Sequence, residues 1–369
     1  MVHIAWHMIW KDKTRFFITV GGVALTVLLM LFLLGVYDGV KKGALSYVIN
    51  CPADFWVCSK NSTNLLRSSS FLPETLQHDL SRTAGIESSA AVVRFIARAN
   101  IRSKAVTLVL FGFDPSSNLS RPVTIIQGTN AIRPGEIILD RAFASEYGLA
   151  VGESLDIQGY IFRVAGITEE TNAVVAQFAF TTIDDAQSLL GLPGIMSYYL
   201  LKKREGEDSQ ALLDSLKGRF PSLAIYRKQE FVENNLEEMK KGILPILWTI
   251  ALLGAVVGTS VIMLMLYSSV LEKRDAYALL KALGAGQPFL VFLVMRQSMA
   301  GTLIGLMLGS GLNTLTSPLL MKLVPAISLS FTWHAAAAVF CLSIVIGAAA
   351  SLIPICKLSR VYPAEVFRA

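Results

Sequence analysis

Four long stretches almost free of charge constrain this chain more than any other feature. Phe16 to Tyr37 contains no charged residue and is mostly Val, Leu, Phe, Gly and Met, which is enough for one bilayer crossing at about 20 residues per helix. Gly242 to Leu271 and Ile327 to Cys356 are similar, and Phe289 to Leu320 is interrupted only by Arg296. Four membrane-spanning helices is the simplest reading. Lys11, Lys13 and Arg15 precede the first stretch as in a signal peptide, but the apolar run is longer than a usual signal core, so an uncleaved anchor is expected.

The chain has 369 residues, 53% hydrophobic and 16% charged, too apolar for an ordinary soluble domain yet longer than four spans require. The remainder lies between Asp38 and Lys241, where short alternating or β-rich runs are broken by Gly, Pro, Asn and Asp, the pattern of a mixed α/β domain. Strands are expected at 54–58, 92–101, 106–112, 136–139, 154–157, 161–167, 178–181 and 198–202. Helices are expected at 73–82, 141–147, 184–190 and 209–220, the third capped by Thr182 or Asp184 and closed near Gly191. A strand, helix, strand unit over 196–227 forms a second subdomain. Residues 40–49 and 231–241 are helical without Pro and extend the first and second spans as a two-helix stalk.

The net charge of +6 comes without a long basic run, and nucleic acid is not an expected partner. Lys and Arg instead flank the apolar stretches. Lys11, Lys13 and Arg15, then Lys273, Arg274, Lys281 and Arg296, then Lys357, Arg360 and Arg368 mark the cytoplasmic ends under the positive-inside rule, which puts both termini in the cytoplasm. Lys41, Lys42, Lys240 and Lys241 oppose the rule but flank a long domain, which crosses largely regardless of charge. Cys51 and Cys58 admit two readings, a disulfide outside the cytoplasm or two buried thiols flanking the strand of Phe55 and Trp56. An extended strand would hold them too far apart to bond. No CxxC pair or His spacing supports zinc. Asp140, Glu146, Glu169 and Glu170 form no nucleophile or base constellation and read as solvated carboxylates.

No Gly-Lys dipeptide occurs, so the phosphate-cradling loop of an ATP-hydrolysing chain is missing. The spans contain almost no acidic residue, unlike a gradient-driven carrier, and ATP bound by a partner subunit is the favoured energy source. Gly301, Gly305 and Gly309 recur every four residues, as do Gly254 and Gly258. Such stripes permit close helix approach, either at a dimer seam or between spans of one chain. After the second span, a helix over 273–283 gathers Ala276, Leu279, Leu280 and Leu283 on one side, and Gly284 can end it in a left-handed conformation. That helix suits a partner's groove or the membrane surface.

Several segments carry a family resemblance. Ala5-Trp6-His7-Met8-Ile9-Trp10-Lys11, Gly135-Glu136-Ile137-Ile138-Leu139-Asp140, Gly148-Leu149-Ala150-Val151-Gly152-Glu153 and Phe162-Arg163-Val164-Ala165-Gly166-Ile167 resemble the leading helix and outer core of the FtsX-like permeases, including MacB-type ABC transporter subunits. Glu272 to Ala285 resembles the family's charged loop ending in Leu-Gly-Ala, and Leu358 to Arg368 its terminal element, with Val366 and Phe367 in place of a small residue and Leu. The resemblance implies an amphipathic helix over 1–15, spans at 16–37, 242–271, 289–320 and 327–356, an extracytoplasmic α/β domain with stalks over 38–241, a cytoplasmic coupling helix and loop over 272–288, a short external loop at 321–326 and a cytoplasmic tail at 357–369. It also implies a non-enzymatic subunit of the bacterial inner membrane that pairs with a second copy of itself and with a cytoplasmic ABC ATPase. Glu272, Arg274, Tyr277, Leu280, Leu283 and Gly284 are the candidate ATPase-coupling residues. A periplasmic adaptor and amphiphilic or peptide-like cargo are the first expectation. Lipoprotein release and control of cell-wall hydrolases are the alternatives.

Overall fold

The computed structural model describes residues 13–102, 104–122, 124–171, 177–242, 244–324 and 329–359. The leading helix expected over 1–15 lies outside them apart from its last three residues, as do the end of the external loop and most of the terminal element. The chain divides into two compact units, one of residues 1–37, 245–319 and 329–369, the other of 38–244 and 320–328. Helix α1 (Lys13–Asn50) is unbroken, so its apolar half belongs to the first unit and its last turns to the second.

In the first unit α1 is joined by α7 (Leu244–Glu272), α8 (Arg274–Ala282), α9 (Gln287–Leu323) and α10 (Trp333–Ser359). Four of these five, all but α8, are long and apolar enough to cross a membrane. Helix α1 touches the other three. Val23, Val27 and Met30 form one apolar cluster with Ile262 and Leu266 of α7 and Val339 and Ile346 of α10. The glycine stripes serve the same helix. A Cβ at Gly258 would lie 2.2 Å from Thr26 Oγ1 and one at Gly254 2.9 Å from Leu29 Cδ2. On α9, a Cβ at Gly305 would lie 2.5 Å from Val23 Cβ, one at Gly309 2.5 Å from the Ala24 carbonyl oxygen, and one at Gly301 in ordinary contact with Thr19. Of the two uses open to these glycines, packing within one chain is the one observed. Gly347 does for α10 what these do for α7 and α9, since its Cβ would meet Thr302 Oγ1 at 2.4 Å and its carbonyl accepts Ser298 Oγ at 2.7 Å.

The second unit holds β1 (Phe55–Ser59), β2 (Leu72–Pro73), α2 (Leu76–Ser81), β3 (Ile86–Ile101), β4 (Lys104–Phe113), β5 (Ile125–Gly128), β6 (Glu136–Asp140), α3 (Arg141–Tyr147), β7 (Ser154–Ile157), β8 (Tyr160–Thr168), β9 (Phe178–Thr182), α4 (Ile183–Leu190), β10 (Ile195–Met196), β11 (Tyr198–Lys203), α5 (Ser209–Arg219), β12 (Leu223–Arg227) and α6 (Lys228–Gly242). The main sheet runs β12-β1-β11-β3-β4-β9-β6-β8-β5, and β7 pairs with both β8 and β3. Strands β3, β4, β9, β6, β8 and β7 therefore close into a barrel. The 16-residue β3 belongs to both halves. Its Ile86, Ala91 and Val93 face the apolar cluster under α2 and α5, whereas Ala97, Ala99 and Ile101 line the barrel, with Phe95 touching both clusters.

The strand, helix, strand unit over 196–227 is present but is not a separate subdomain. Its strands β11 and β12 each pair antiparallel with β1, which inserts between them. Thr182 rather than Asp184 caps α4, its hydroxyl accepting the Asp185 N–H at 3.2 Å, and Gly191 ends that helix at φ +69°. Strands β2, β5 and β10 have four residues or fewer and no clear alternation to announce them.

Valine at 305 should lower the unfolding midpoint of the detergent-purified chain by several degrees, since added methyls in a filled contact cost about 1–3 kcal/mol. Valine at 311, where a Cβ meets nothing within 4 Å, should leave it within a degree. Equal midpoints in a thermal scan would contradict the packing described.

Candidate coupling site

The loop helix α8 lies between α7 and α9, and its end is built by Gly284. At φ +93° Gly284 adopts a conformation that is strained for a side-chain-bearing residue. Its N–H donates to Lys281 O at 3.0 Å while Ala285 N–H reaches back to Leu280 O at 2.9 Å, the paired bonds of a Schellman stop. Tyr277 is 1% exposed and packs among Val270, Leu290 and Val294, with Leu280, Leu293 and Ile355 at the margin.

This corrects the sequence reading in one respect. Tyr277 is no contact for a partner; it is the side chain that fastens α8 to the ends of α7 and α9. Leu280 is half-buried beside it. The face turned outward carries Glu272, Ala276, Leu279 and Leu283, at helical spacing, with Arg274 also exposed. Leu283 is 76% exposed and Leu279 51%. The signal missed in the sequence was the pair Tyr277 and Leu280, one turn apart, which continues the buried line of Val270.

In the second unit the last turns of α1 and the helix α6 lie on the sheet face opposite α2 and α5. Tyr47 of α1 stands 5.0 Å from the Phe111 ring and 5.5 Å from that of Phe180, and Phe231 of α6 stacks on Trp56 at 4.7 Å. Aromatic pairs at such separations add about 0.5–1.5 kcal/mol each beyond area burial. Polar ties pin both helices. Tyr47 hydroxyl donates to Ser120 O at 2.7 Å. Lys228 Nζ donates to Cys51 O at 2.7 Å. The fully buried Asn235 accepts Leu65 N–H at 2.7 Å, and Arg67 pairs with Glu238 at 3.0 Å.

Cys51 and Cys58 are separate buried thiols, the second of the two sequence readings. Cys51 Sγ, just after α1, donates to Leu119 O at 3.1 Å and Cys58 Sγ, in β1, to Ser62 O at 3.1 Å, so each has its own acceptor. Burial pushes the Cys51 thiol up to about 11 and Cys58 up to about 12, the latter against an opposing hydrogen bond from Ser62. Asp140, read as a solvated carboxylate, is buried: Oδ1 caps α3 by accepting Ala142 N–H at 2.8 Å and Oδ2 accepts the Thr171 hydroxyl at 2.7 Å. Burial raises its pKa, with the Thr171 and Ala142 hydrogen bonds and the charge of Arg141 opposing the rise.

Two family models match this chain in tandem. The MacB-like periplasmic core domain matches residues 16–219, more than half of the chain, and the FtsX-like permease C-terminal region matches 248–363. The chain belongs to the MacB/FtsX-like permease family. Strand β12 and helix α6 fall between the two matches. An uncharacterized ABC transporter permease of Mycobacterium tuberculosis is 25% identical over 280 residues, covering 69% of this chain and 32% of that protein. Another from Methanocaldococcus jannaschii is 24% identical over 235 residues, covering 60% of this chain and 58% of that one. The chain thus spans about a third and somewhat over half of the lengths of these relatives. The periplasmic region of MacB from Actinobacillus actinomycetemcomitans superposes with a TM-score of 0.40 at 12% identity, over 48% of this chain and 90% of that one. The extracellular domain of the noncanonic ABC-type transporter YknZ from Gram-positive bacteria gives 0.38 at 10% identity, over 47% and 99%.

For this MacB/FtsX-like permease, with Cys341 and Cys356 changed to Ser, the two remaining thiols should react with Ellman's reagent at pH 8 at least two orders of magnitude more slowly than a free cysteine. The thiolate fraction of a group at about 11 is smaller by roughly that factor, and rates should rise with pH toward 11. Denaturant should release both thiols without reductant; a need for reductant would restore the disulfide reading.

Proposed function

We propose that this permease is the membrane half of a mechanotransmission complex, in which ATP hydrolysis on a partner subunit changes the shape of the outer domain. The observation that carries the reading is the exposed apolar face of α8. Leucines at 279 and 283 are held out beside Glu272 and Arg274 while Tyr277 and the Gly284 stop fasten the helix rigidly to α7 and α9. A short anchored helix with exposed leucines suits a helix-in-groove contact, and the charge distribution supports its cytoplasmic placement, with both termini on that side. ATP is bound by the partner, an ABC ATPase, and the chain itself performs no catalysis.

The stalk supports the second half of the reading. Pinning of the last turns of α1 and of α6 to one sheet face by Tyr47, Phe231, Asn235 and Lys228 gives movement of those helices a stiff attachment to the domain. Two copies of the chain with two ATPases, acting on amphiphilic or peptide-like cargo with a periplasmic adaptor, complete the proposed assembly. Co-purification discriminates it from the alternatives, since an adaptor or cargo supports export, a lipoprotein supports lipoprotein release and a cell-wall hydrolase supports regulation.

A glutamate at Leu283 should release or uncouple the ATPase, because a contact leucine is worth about 1 kcal/mol or more, while methionine there should be nearly silent. Pull-down of the ATPase and its stimulated activity are the measurements; normal binding by the glutamate variant would remove α8 from the interface. A flexible Gly-rich insertion after Met239 of α6 should leave ATPase activity intact and abolish transport, as a flexible linker transmits no bending. Undiminished transport would exclude coupling through that helix.

A further inference from the structure

The end of β8 and the three residues after it tie three elements together. Thr168, the last residue of β8, lies beside Asp140 in parallel register. Glu169 then pairs with Arg141 of α3 at 2.6 Å. Glu170 pairs with Lys42 of α1. The Thr171 N–H and hydroxyl both donate to the buried Oδ2 of Asp140, at 3.2 and 2.7 Å. Each of the three carboxylates is thus already partnered within the chain, which leaves no vacant cation site here.

Glu170 has φ +64°, a left-handed conformation uncommon for a residue with a side chain and kept only where surrounding contacts over-determine it. Those contacts are the neighbours on either side, Glu169 and Thr171, both fastened to α3 and its cap. The turn brings the Glu170 carboxylate to Lys42 of α1. Helix α3 in turn places Phe143 and Ala144 in the barrel core, so a displacement felt at Lys42 reaches the barrel interior through two short links.

We propose that Lys42, Glu170, Thr171 and Asp140 form a clasp through which the outer turns of α1 position helix α3 and hence the barrel. They are positioning residues, and the transmission role rests on the mechanotransmission reading above. The clasp gives α1 a route to α3 separate from the packing of Tyr47 on Phe111 and Phe180 of the barrel strands β4 and β9, and it assigns the charge of Lys42 a task other than membrane orientation. A lone exposed ion pair contributes little; here the pair is joined to a buried carboxylate whose loss of a donor is costly.

The test is amide hydrogen exchange on the full chain in nanodiscs, with and without its ATPase. Without the ATPase, Lys42→Met and Glu170→Gln should each speed exchange in 141–148 roughly two- to five-fold, the range expected for releasing one ion pair, and leave 209–219 unchanged. Thr171→Val should have a larger effect. The swapped pair Lys42→Glu with Glu170→Lys should restore the wild-type rate, which a merely structural disturbance would not do. Unchanged exchange in 141–148, or an equal rise in 209–219, would overturn the clasp. With the ATPase and a non-hydrolysable ATP analogue, exchange in 141–148 should respond to nucleotide in the wild type and not in Thr171→Val. If the wild type does not respond although the first arm behaves as expected, the contact stands and the transmission role falls.

Discussion

Close approach of α7 and α9 to α1 underlies the membrane unit. In lipid no hydrophobic driving force draws apolar helices together, and association depends on van der Waals contact and on polar links between backbones. Gly254 and Gly258 on one helix and Gly301, Gly305 and Gly309 on another remove the side chains that would keep those backbones from α1. Thr19, Val23, Thr26 and Val27 fill the space so released. The contact also decides how α8 is held, since the adjoining ends of α7 and α9 provide Val270, Leu290 and Val294 as the seat for Tyr277.

The outer unit solves a different problem, that of a sheet covered on both faces. Helices α2 and α5 cover one face over an apolar cluster that includes Phe55 and Tyr199, while the aromatic side chains of the other meet the last turns of α1 and Phe231 of α6. Strand β3 carries the sheet into the barrel without a break, so the two apolar clusters share Phe95. A movement of the stalk helices is therefore resisted by packed rings and by buried hydrogen bonds at Asn235 and Tyr47, and α1 meets the barrel both through Tyr47, on Phe111 and Phe180 of β4 and β9, and through the residues that follow β8. The two buried thiols belong to this packing: Cys51 follows α1 and Cys58 lies in β1, each with its own carbonyl acceptor.

Local physics made much of this legible in the residues alone. Long uncharged runs can only be satisfied by helices in lipid, so the four spans could be read without a partner, as could strands β1, β4, β6, β7, β8, β9 and β11 and the second half of β3 from alternating or β-rich runs, and the stops at Gly191 and Gly284 from their conformational freedom. What tertiary structure alone decided depends on which surfaces meet. Periodicity groups Ala276, Leu279, Leu280 and Leu283 but does not say which arc of α8 faces its neighbours; the structure seats Leu280 beside Tyr277 and turns Ala276, Leu279 and Leu283 outward. Glycine spacing permits close approach to any helix, and only the position of α1 turned that permission into contacts within one chain. The insertion of β1 between β11 and β12, the closure of the barrel by β7, and the burial of Asp140 all join residues from different elements of the domain, and no local pattern encodes such pairings. The sequence by itself determined which segments could enter lipid or form a sheet, because those properties belong to single segments; tertiary structure decided which faces were used, because packing is a property of pairs.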